Sequence, residues 1–213
     1  MSKLFHNTVT PLLAKVLKEL MRSKQFREFR LVGGTALSLQ IGHRESIDID
    51  LFTDAKYDSI DFDAINKFLK KKYKYIDSTN YKEVGMGNSY FVGETKTHCI
   101  KLDVFYTDKF IQPITLIDNL RFASIEEIIA MKVDVIARGG RKKDFWDIHE
   151  FVGNYSFEKM MNLHKQRYPY SHHKKEIKNN FTKFTNADED FNPVCLKGKY
   201  WEVIKLDIID FVK

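Results

Sequence analysis

Between Thr10 and Arg22 apolar side chains return every three or four positions, at Leu12, Leu13, Val16, Leu17 and Leu20. That is the period of a helix with one buried stripe, and Pro11 suits its first turn, where a missing N–H costs nothing. The period then changes. Phe29–Val32 is a short apolar run that reads as a strand, and a helix opens at Gly34-Thr35 and runs to about Ile41, with Gly42 to close it. From Ile47 to Phe52 apolar and acidic residues alternate, which predicts a strand with Ile47, Ile49 and Leu51 on a buried face and Asp48 and Asp50 on the other. Asp58–Lys72 reads as a helix through Ile60, Phe62, Ile65, Phe68 and Leu69. Three strand-like runs follow, Tyr73–Ile76, Ser89–Gly93 and Cys99–Tyr106, with Gly85-Met86-Gly87-Asn88 as a turn. From Ser124 onward the pattern is almost wholly helical, with breaks around Tyr168–Ser171 and Thr185–Pro193 and a last helix from about Gly198 to Val212. These elements predict an α+β protein: a mixed β-sheet flanked by helices over residues 1–120, then a helical domain over 121–213 that completes a cleft.

Bulk properties narrow the class. A chain of 213 residues with 43% hydrophobic side chains can bury a sizeable core. No apolar run approaches the roughly 18–20 residues that span a bilayer, and the first residues lack the long apolar segment of a secretory signal. Cys99 and Cys195 are too few for a disulfide scaffold and lack zinc-ligand spacing. The expected location is a reducing cytoplasm. A net charge of +6 permits a polyanionic partner without requiring one.

The chemistry concentrates in three places. Asp48 and Asp50, two apart on a strand, stand side by side, which is costly unless a cation bridges them. Oxygen ligands so placed suit Mg²⁺, which keeps some waters and accepts substrate phosphates. Two ordinary aspartates on a solvent-facing strand are the alternative. In Ile100–Tyr106, Asp103 shares a face with Lys101 and Phe105 and offers a third carboxylate if its strand neighbours the first; Asp108, beyond the strand, is a weaker candidate. Gly33-Gly34-Thr35 supplies close backbone approach, helix N-terminal N–H groups and a hydroxyl, all suited to a phosphate that Arg44 could reach; a plain strand-to-helix turn with a threonine cap explains the same residues. Further on, Ser124-Ile125-Glu126-Glu127 has the capping-box pattern. It opens a stripe of Ile125, Ile128, Ile129, Val133 and Ile136 in whose centre Lys132 falls. A lysine there must snorkel, pair with a carboxylate or meet a ligand, and at the stripe's centre an ion or phosphate partner is the favoured reading. Asp144 and Asp147, three apart beside Ile148 and Phe151, have the complementary problem, and Lys132 with Asp144 is the expected pair.

With these segments together, the chain resembles the AbiEii toxin family of nucleotidyltransferases, within the DNA-polymerase-β-like superfamily. Gly33-Gly34-Thr35-Ala36-Leu37 with Arg44, Ser46 and Asp48-Ile49-Asp50 is similar to its first motif, Thr35 standing where serine is common. Asp103 matches its later carboxylate, and Arg141-Lys142-Lys143-Asp144-Phe145-Trp146-Asp147 matches RxKDxxD. Lys96 and Lys101 are the candidates for an intermediate lysine motif. The resemblance implies a nucleotidyltransferase-type sheet and transfer of a nucleoside monophosphate from a triphosphate (NTP) to an acceptor hydroxyl. It implies Asp48, Asp50 and Asp103 as ligands of Mg²⁺ or Mn²⁺. It places Gly33, Gly34, Thr35, Arg44, Ser46, Arg141 and Lys143 on the nucleotide, and Lys132, Asp144 and Asp147 in the catalytic cleft.

The acceptor is less defined. Residues 156–183 carry Lys159, Lys165, Arg167, Lys174, Lys175, Lys178 and Lys183 against Glu158 and Glu176, interleaved with Phe157, Tyr168, Tyr170 and Phe181. Cations beside stacking rings suit RNA; a solvated helical surface over core aromatics is the other reading. His164, His172 and His173 are read as surface residues. The resemblance favours the toxin of a toxin–antitoxin or phage-defence pair, with RNA such as tRNA as acceptor and an antitoxin as partner. A nucleotidyltransferase acting on a protein or small molecule, and a non-catalytic nucleotide- or RNA-binding module, are the competing readings.

Overall fold

The computed structural model describes residues 4–78 and 85–213. After a short 3₁₀ turn, α1 (Pro11–Arg22) starts at Pro11 with the Thr10 side chain accepting from the Leu13 N–H, and buries Leu13, Val16, Leu17, Leu20 and Met21. Then come β1 (Arg30–Leu31), α2 (Gly33–Ile41), β2 (Asp48–Thr53), α3 (Phe62–Lys72), β3 (Tyr75–Ser78), β4 (Gly87–Thr95), β5 (His98–Tyr106), β6 (Thr115–Ile117) and β7 (Leu120–Phe122). Six helices finish the chain: α4 (Ile125–Ala137), α5 (Lys142–His149), α6 (Phe157–Arg167), α7 (Lys174–Phe181), α8 (Thr185–Asp188) and α9 (Trp201–Val212).

The strands form one mixed seven-stranded sheet in the order β3-β4-β5-β2-β1-β7-β6. Its centre is the parallel pair β2/β5, with Asp48 opposite Lys101, Asp50 opposite Asp103 and Phe52 opposite Phe105. Alternation turns Ile49, Leu51, Leu102 and Val104 to the other face, where all four are fully buried and α1 packs on both strands. The mixed sheet with helices is therefore as the residue pattern predicts.

Several boundaries differ. Ile47 precedes β2 and is 67% exposed, so the apolar face begins at Ile49. The helix expected from Asp58 starts at Phe62 behind an Asp61 cap, because Asp58 takes a left-handed backbone (φ 66°). Gly87 and Asn88 belong to β4, opposite Phe105 and Val104, and not to a turn. The hairpin β6/β7 is absent from the expected elements; its three-residue strands are too short to show alternation, although Asp118-Asn119, both left-handed, mark its tight turn. The last helix starts at Trp201. Within 156–183, Phe157 and Phe181 pack on each other and Phe157 on Phe211. Arg167 is buried against Glu127 at 2.8 Å, and His164 is fully buried between His172 and Asp134. Phe181, Arg167 and His164 are thus buried, and Phe157 packs against the core. Lys159, Lys165, Lys174, Lys175, Lys178, Lys183 and Tyr170 remain exposed.

Candidate active site

The polar face of β2/β5 is one wall of a cavity of ≈ 230 Å³. Asp48, Asp50, Phe52, Lys101 and Asp103 come from the sheet; Ile128, Met131, Lys132 and Val135 from α4; Arg141, Lys143 and Asp144 from the start of α5; Gly33, Gly34, Arg44 and Ser46 from the segments around α2. Thr35 and Asp147 do not line it.

Burial, together with the carboxylates of Asp103 and Asp48, pushes the Asp50 carboxyl up to about 6, against the pull of Lys132 and Lys101. Such an excess of negative charge calls for a cation. The donors are carboxylate oxygens, the hard ligands that divalent magnesium or manganese accepts, and Asp103 Oδ1 is buried without a partner. The residues therefore fit a divalent cation. Among the described residues they do not form a closed three-ligand cage: Asp103 Oδ2 accepts from Lys101 Nζ at 2.5 Å, so its full use as a ligand requires Lys101 to move aside. Lys96, the other candidate for a lysine motif, is exposed in the β4–β5 turn.

The glycine pair makes room for side chains as well as for a phosphate. Gly33 has φ 69°, and a Cβ on it would lie 2.6 Å from Asp50 Oδ2; a Cβ on Gly34 would strike the Arg44 guanidinium. The Thr35 hydroxyl donates to the Asp48 carbonyl and shares a 2.8 Å hydrogen bond with the Ser46 hydroxyl. It ties α2 to the start of the carboxylate strand, so its place is inside the fold instead of on a phosphate.

The remaining charges form a buried cluster. Asp147, 0% exposed, accepts from Arg44 Nε (2.6 Å) and His43 Nε2 (2.8 Å) on Oδ1, and from Arg44 Nη2 (2.9 Å) and Lys132 Nζ (2.7 Å) on Oδ2. Asp144 accepts from Lys132 Nζ (2.6 Å), as the sequence predicts, and from the Arg141 backbone N–H (2.9 Å), closing a capping box. Burial is the largest influence and raises both carboxyls, but Lys132 and the Arg141 N–H at Asp144, and Lys132, Arg44 and His43 at Asp147, together more than offset it, and both are held below the usual range, Asp147 well below. Lys132 is in turn held protonated: burial disfavours its charge, yet Asp147 and Asp144 more than compensate. With Arg44, Lys132, Asp144 and Asp147 charged and His43 pushed towards neutrality by burial, the cluster is neutral. Arg44 is therefore committed to Asp147 and the Glu45 carbonyl, not free for a phosphate, and Asp144 and Asp147 have no spare oxygen for chemistry. Lys143 is different. It has no ion-pair or hydrogen-bond partner among the described residues, and burial and Arg141 lower its pKa. His43 escaped the sequence reading; its position just before Arg44 was its one signal.

Among the described residues no helix is long and apolar enough to cross a membrane. Similar folds are found in JHP933 from Helicobacter pylori (20% identity, TM-score 0.62, covering 94% of this chain and 87% of that one) and in MenT4, a nucleotidyltransferase toxin from Mycobacterium tuberculosis (15% identity, TM-score 0.54, covering 94% and 82%). A search of curated protein sequences finds no match. The family described as nucleotidyl transferase AbiEii toxin, type IV toxin–antitoxin system, matches residues 15–205, nearly the whole chain and both walls of the cavity. The chain belongs to the AbiEii family and is a nucleotidyltransferase of the toxin type.

Proposed function

We propose that this chain transfers a nucleoside monophosphate from a triphosphate to a hydroxyl of RNA such as tRNA, with Mg²⁺ or Mn²⁺ as cofactor, as the toxin partner of an antitoxin. The observation that carries the reading is the set of Asp48, Asp50 and Asp103 on one face of β2 and β5 inside one cavity, with Asp50 opposite Asp103. Asp48 and Asp50 would hold the cation, and Asp103, once released from Lys101, would complete the ligand set. Bound there, a divalent cation would stabilise the charge on the attacking and leaving oxygens. The acceptor O–H gives its proton to Asp103, the acceptor oxygen bonds the α-phosphorus, and the bond to pyrophosphate breaks with its electrons on the leaving oxygen. Lys143, with Arg141, neutralises the triphosphate, and the backbone at Gly33 and Gly34 meets its oxygens. Lys132, Arg44, Asp144 and Asp147 act as positioning residues. The exposed lysines of 159–183 and the exposed ring of Tyr170 supply a face for an RNA polyanion.

The test is incubation with each labelled triphosphate, Mg²⁺ or Mn²⁺, and total tRNA. Label is expected in RNA, and Asp48→Asn and Asp50→Asn should each lower transfer by about 10³-fold or more with an unchanged circular dichroism spectrum. Label in protein instead would overturn the RNA acceptor. Activity retained in either variant would overturn the carboxylate assignment.

A further inference from the structure

The catalytic cavity continues into neighbouring space at both ends. At the Asp48 end it shares Arg44, Ser46, Asp48, Arg141 and Lys143 with a second cleft of ≈ 290 Å³ that runs out to Phe191 and Val194. At the Phe52 end it shares Phe52, Met131 and Val135 with a recess that also holds Asp108, Asp134 and Arg138.

The two ends differ in charge. In the Phe52-end recess the one cation among the lining residues, Arg138, is bound to Asp134 at 2.5 Å, and Asp108 adds a further negative charge. The other cleft holds Lys143, which has no partner among the described residues, and Arg141, whose side chain is 64% exposed with its Nε 3.6 Å from Asp144 Oδ2. Its acids Glu45, Asp48 and Asp190 are balanced by Arg44, Arg141 and Lys143, whereas the Phe52-end recess has two acids against one cation. A polyanion is therefore favoured at the Asp48 end.

That end also carries bare apolar surface. Phe191 is 91%, Ile47 67% and Val194 57% exposed, beside the two cations. The segment that carries the ring is pinned to the fold. The Glu45 N–H donates to the Val194 carbonyl and the Leu196 N–H to the His43 carbonyl, both at 2.9 Å, and Arg44 bridges Cys195. The ring is thus presented on a backbone fastened to the residues beside Asp48. An exposed aromatic held next to an unpaired lysine and an exposed arginine is a combination that binds single-stranded nucleic acid, phosphates on the cations and a base on the ring.

We infer that the cleft between Ile47, Arg141, Lys143, Phe191 and Val194 is the acceptor subsite, which receives a single-stranded RNA end whose base stacks on Phe191. The inference rests on the RNA reading of the preceding section. It makes Phe191 a specificity residue on the acceptor, with Lys143 and Arg141, which line both cavities, at the junction with the donor triphosphate.

The experiment measures KM for total tRNA and KM for the triphosphate separately, in wild type, Phe191→Ala and Phe191→Trp. The ring is solvent-exposed, so neither substitution disturbs the core. Phe191→Ala should raise KM for RNA roughly 5- to 150-fold, the range of one lost base stack, with KM for the triphosphate unchanged. Phe191→Trp should restore KM for RNA to within about threefold of wild type, since the indole offers an equivalent stacking face. If RNA is labelled but Phe191→Ala leaves its KM unchanged, the subsite is refuted while the RNA reading stands. A rise in KM for the triphosphate instead assigns the cleft to the donor and also overturns the inference. If the wild-type enzyme labels protein and no RNA, both readings fall.

Discussion

Asp147→Asn isolates the role of the buried cluster. The two side chains have nearly the same volume, so the substitution opens no cavity. What it removes is one negative charge from the set Arg44, Lys132, Asp144 and Asp147. Two cations that now share Asp147, one at 2.6 and 2.9 Å and the other at 2.7 Å, are left with a neutral amide, and the interior carries a net positive charge. Removing one partner of a buried ion pair costs about 3–5 kcal/mol, because the remaining charge is uncompensated. In a chain of this length 1 kcal/mol moves Tm by roughly 2–4 °C, so the expected fall is about 6–20 °C. Thermal unfolding at pH 7.5, followed by circular dichroism, measures it. Arg44→Gln and the double variant complete a cycle, and contacts this short should depart from additivity by about 0.5–3 kcal/mol. A fall of less than about 2 °C, or a strictly additive double variant, would refute the argument that these charges act as one buried unit.

Three further outcomes follow from the same geometry. Gly33→Ala forces an L side chain into a left-handed backbone, costing about 1–2 kcal/mol, and places its Cβ against Asp50 Oδ2; transfer should fall more than stability, read as a loss of kcat larger than the shift in Tm explains. Asp50→Asn removes a carboxylate crowded by two others, so in metal-free buffer at pH 8 it should raise stability by about 1–3 kcal/mol while abolishing transfer; a lowered Tm there would contradict the repulsion at Asp50. Burial lowers the His43 pKa, so stability from this group is complete above the unfolded value near 6.5 and is lost as pH falls towards the folded value, by up to about 1.4 kcal/mol per pH unit. Asp144 and Asp147, whose pKa values are depressed, should contribute no slope until the pH approaches 4, and urea unfolding of Asp50→Asn, which removes the opposite slope of a carboxyl raised to about 6, and of Asp50→Asn with His43→Gln between pH 5 and 8 checks both expectations.

The parts of this site that the sequence displays are those governed by strand period. Asp48, Asp50 and Asp103 announce themselves because a strand repeats every two residues, and the pairing of β2 with β5 needs only two apolar faces to meet. Lys132 and Asp144 are equally visible, since a charge in the middle of an apolar stripe requires a partner. What periodicity cannot show is which oxygen is already occupied. Arg44 and Thr35 have the right chemistry for a phosphate, but Arg44 is taken by Asp147, over a hundred residues later in the chain, and Thr35 by the Asp48 carbonyl. The same blindness applies to Ile47 and Phe191, whose exposure depends on where β2 begins and on a bridge between residues 44 and 195. The short hairpin of β6 and β7 offers only its Asp118-Asn119 turn as a signal.

The cluster also explains why aspartates without catalytic contacts should govern catalysis. The cavity has two walls from distant stretches of chain, β2 and β5 on one side and α4 and α5 on the other. Hydrophobic packing joins them but tolerates sliding, whereas Asp147 fixes three directions at once, towards His43, Arg44 and Lys132. Arg44 in turn packs against Gly34, at the start of the helix that borders Asp50. A displacement at Asp147 therefore moves the glycine turn and Lys132 together, and with them the spacing between the carboxylates and Lys143. Neutrality of the cluster is what permits this lock beside the proposed cation site: a net charge in the same place would either repel a bound metal or compete with the carboxylates for it. Lys143 stays outside the lock, and its unpaired charge is, with that of Arg141, the one proposed to meet a phosphate.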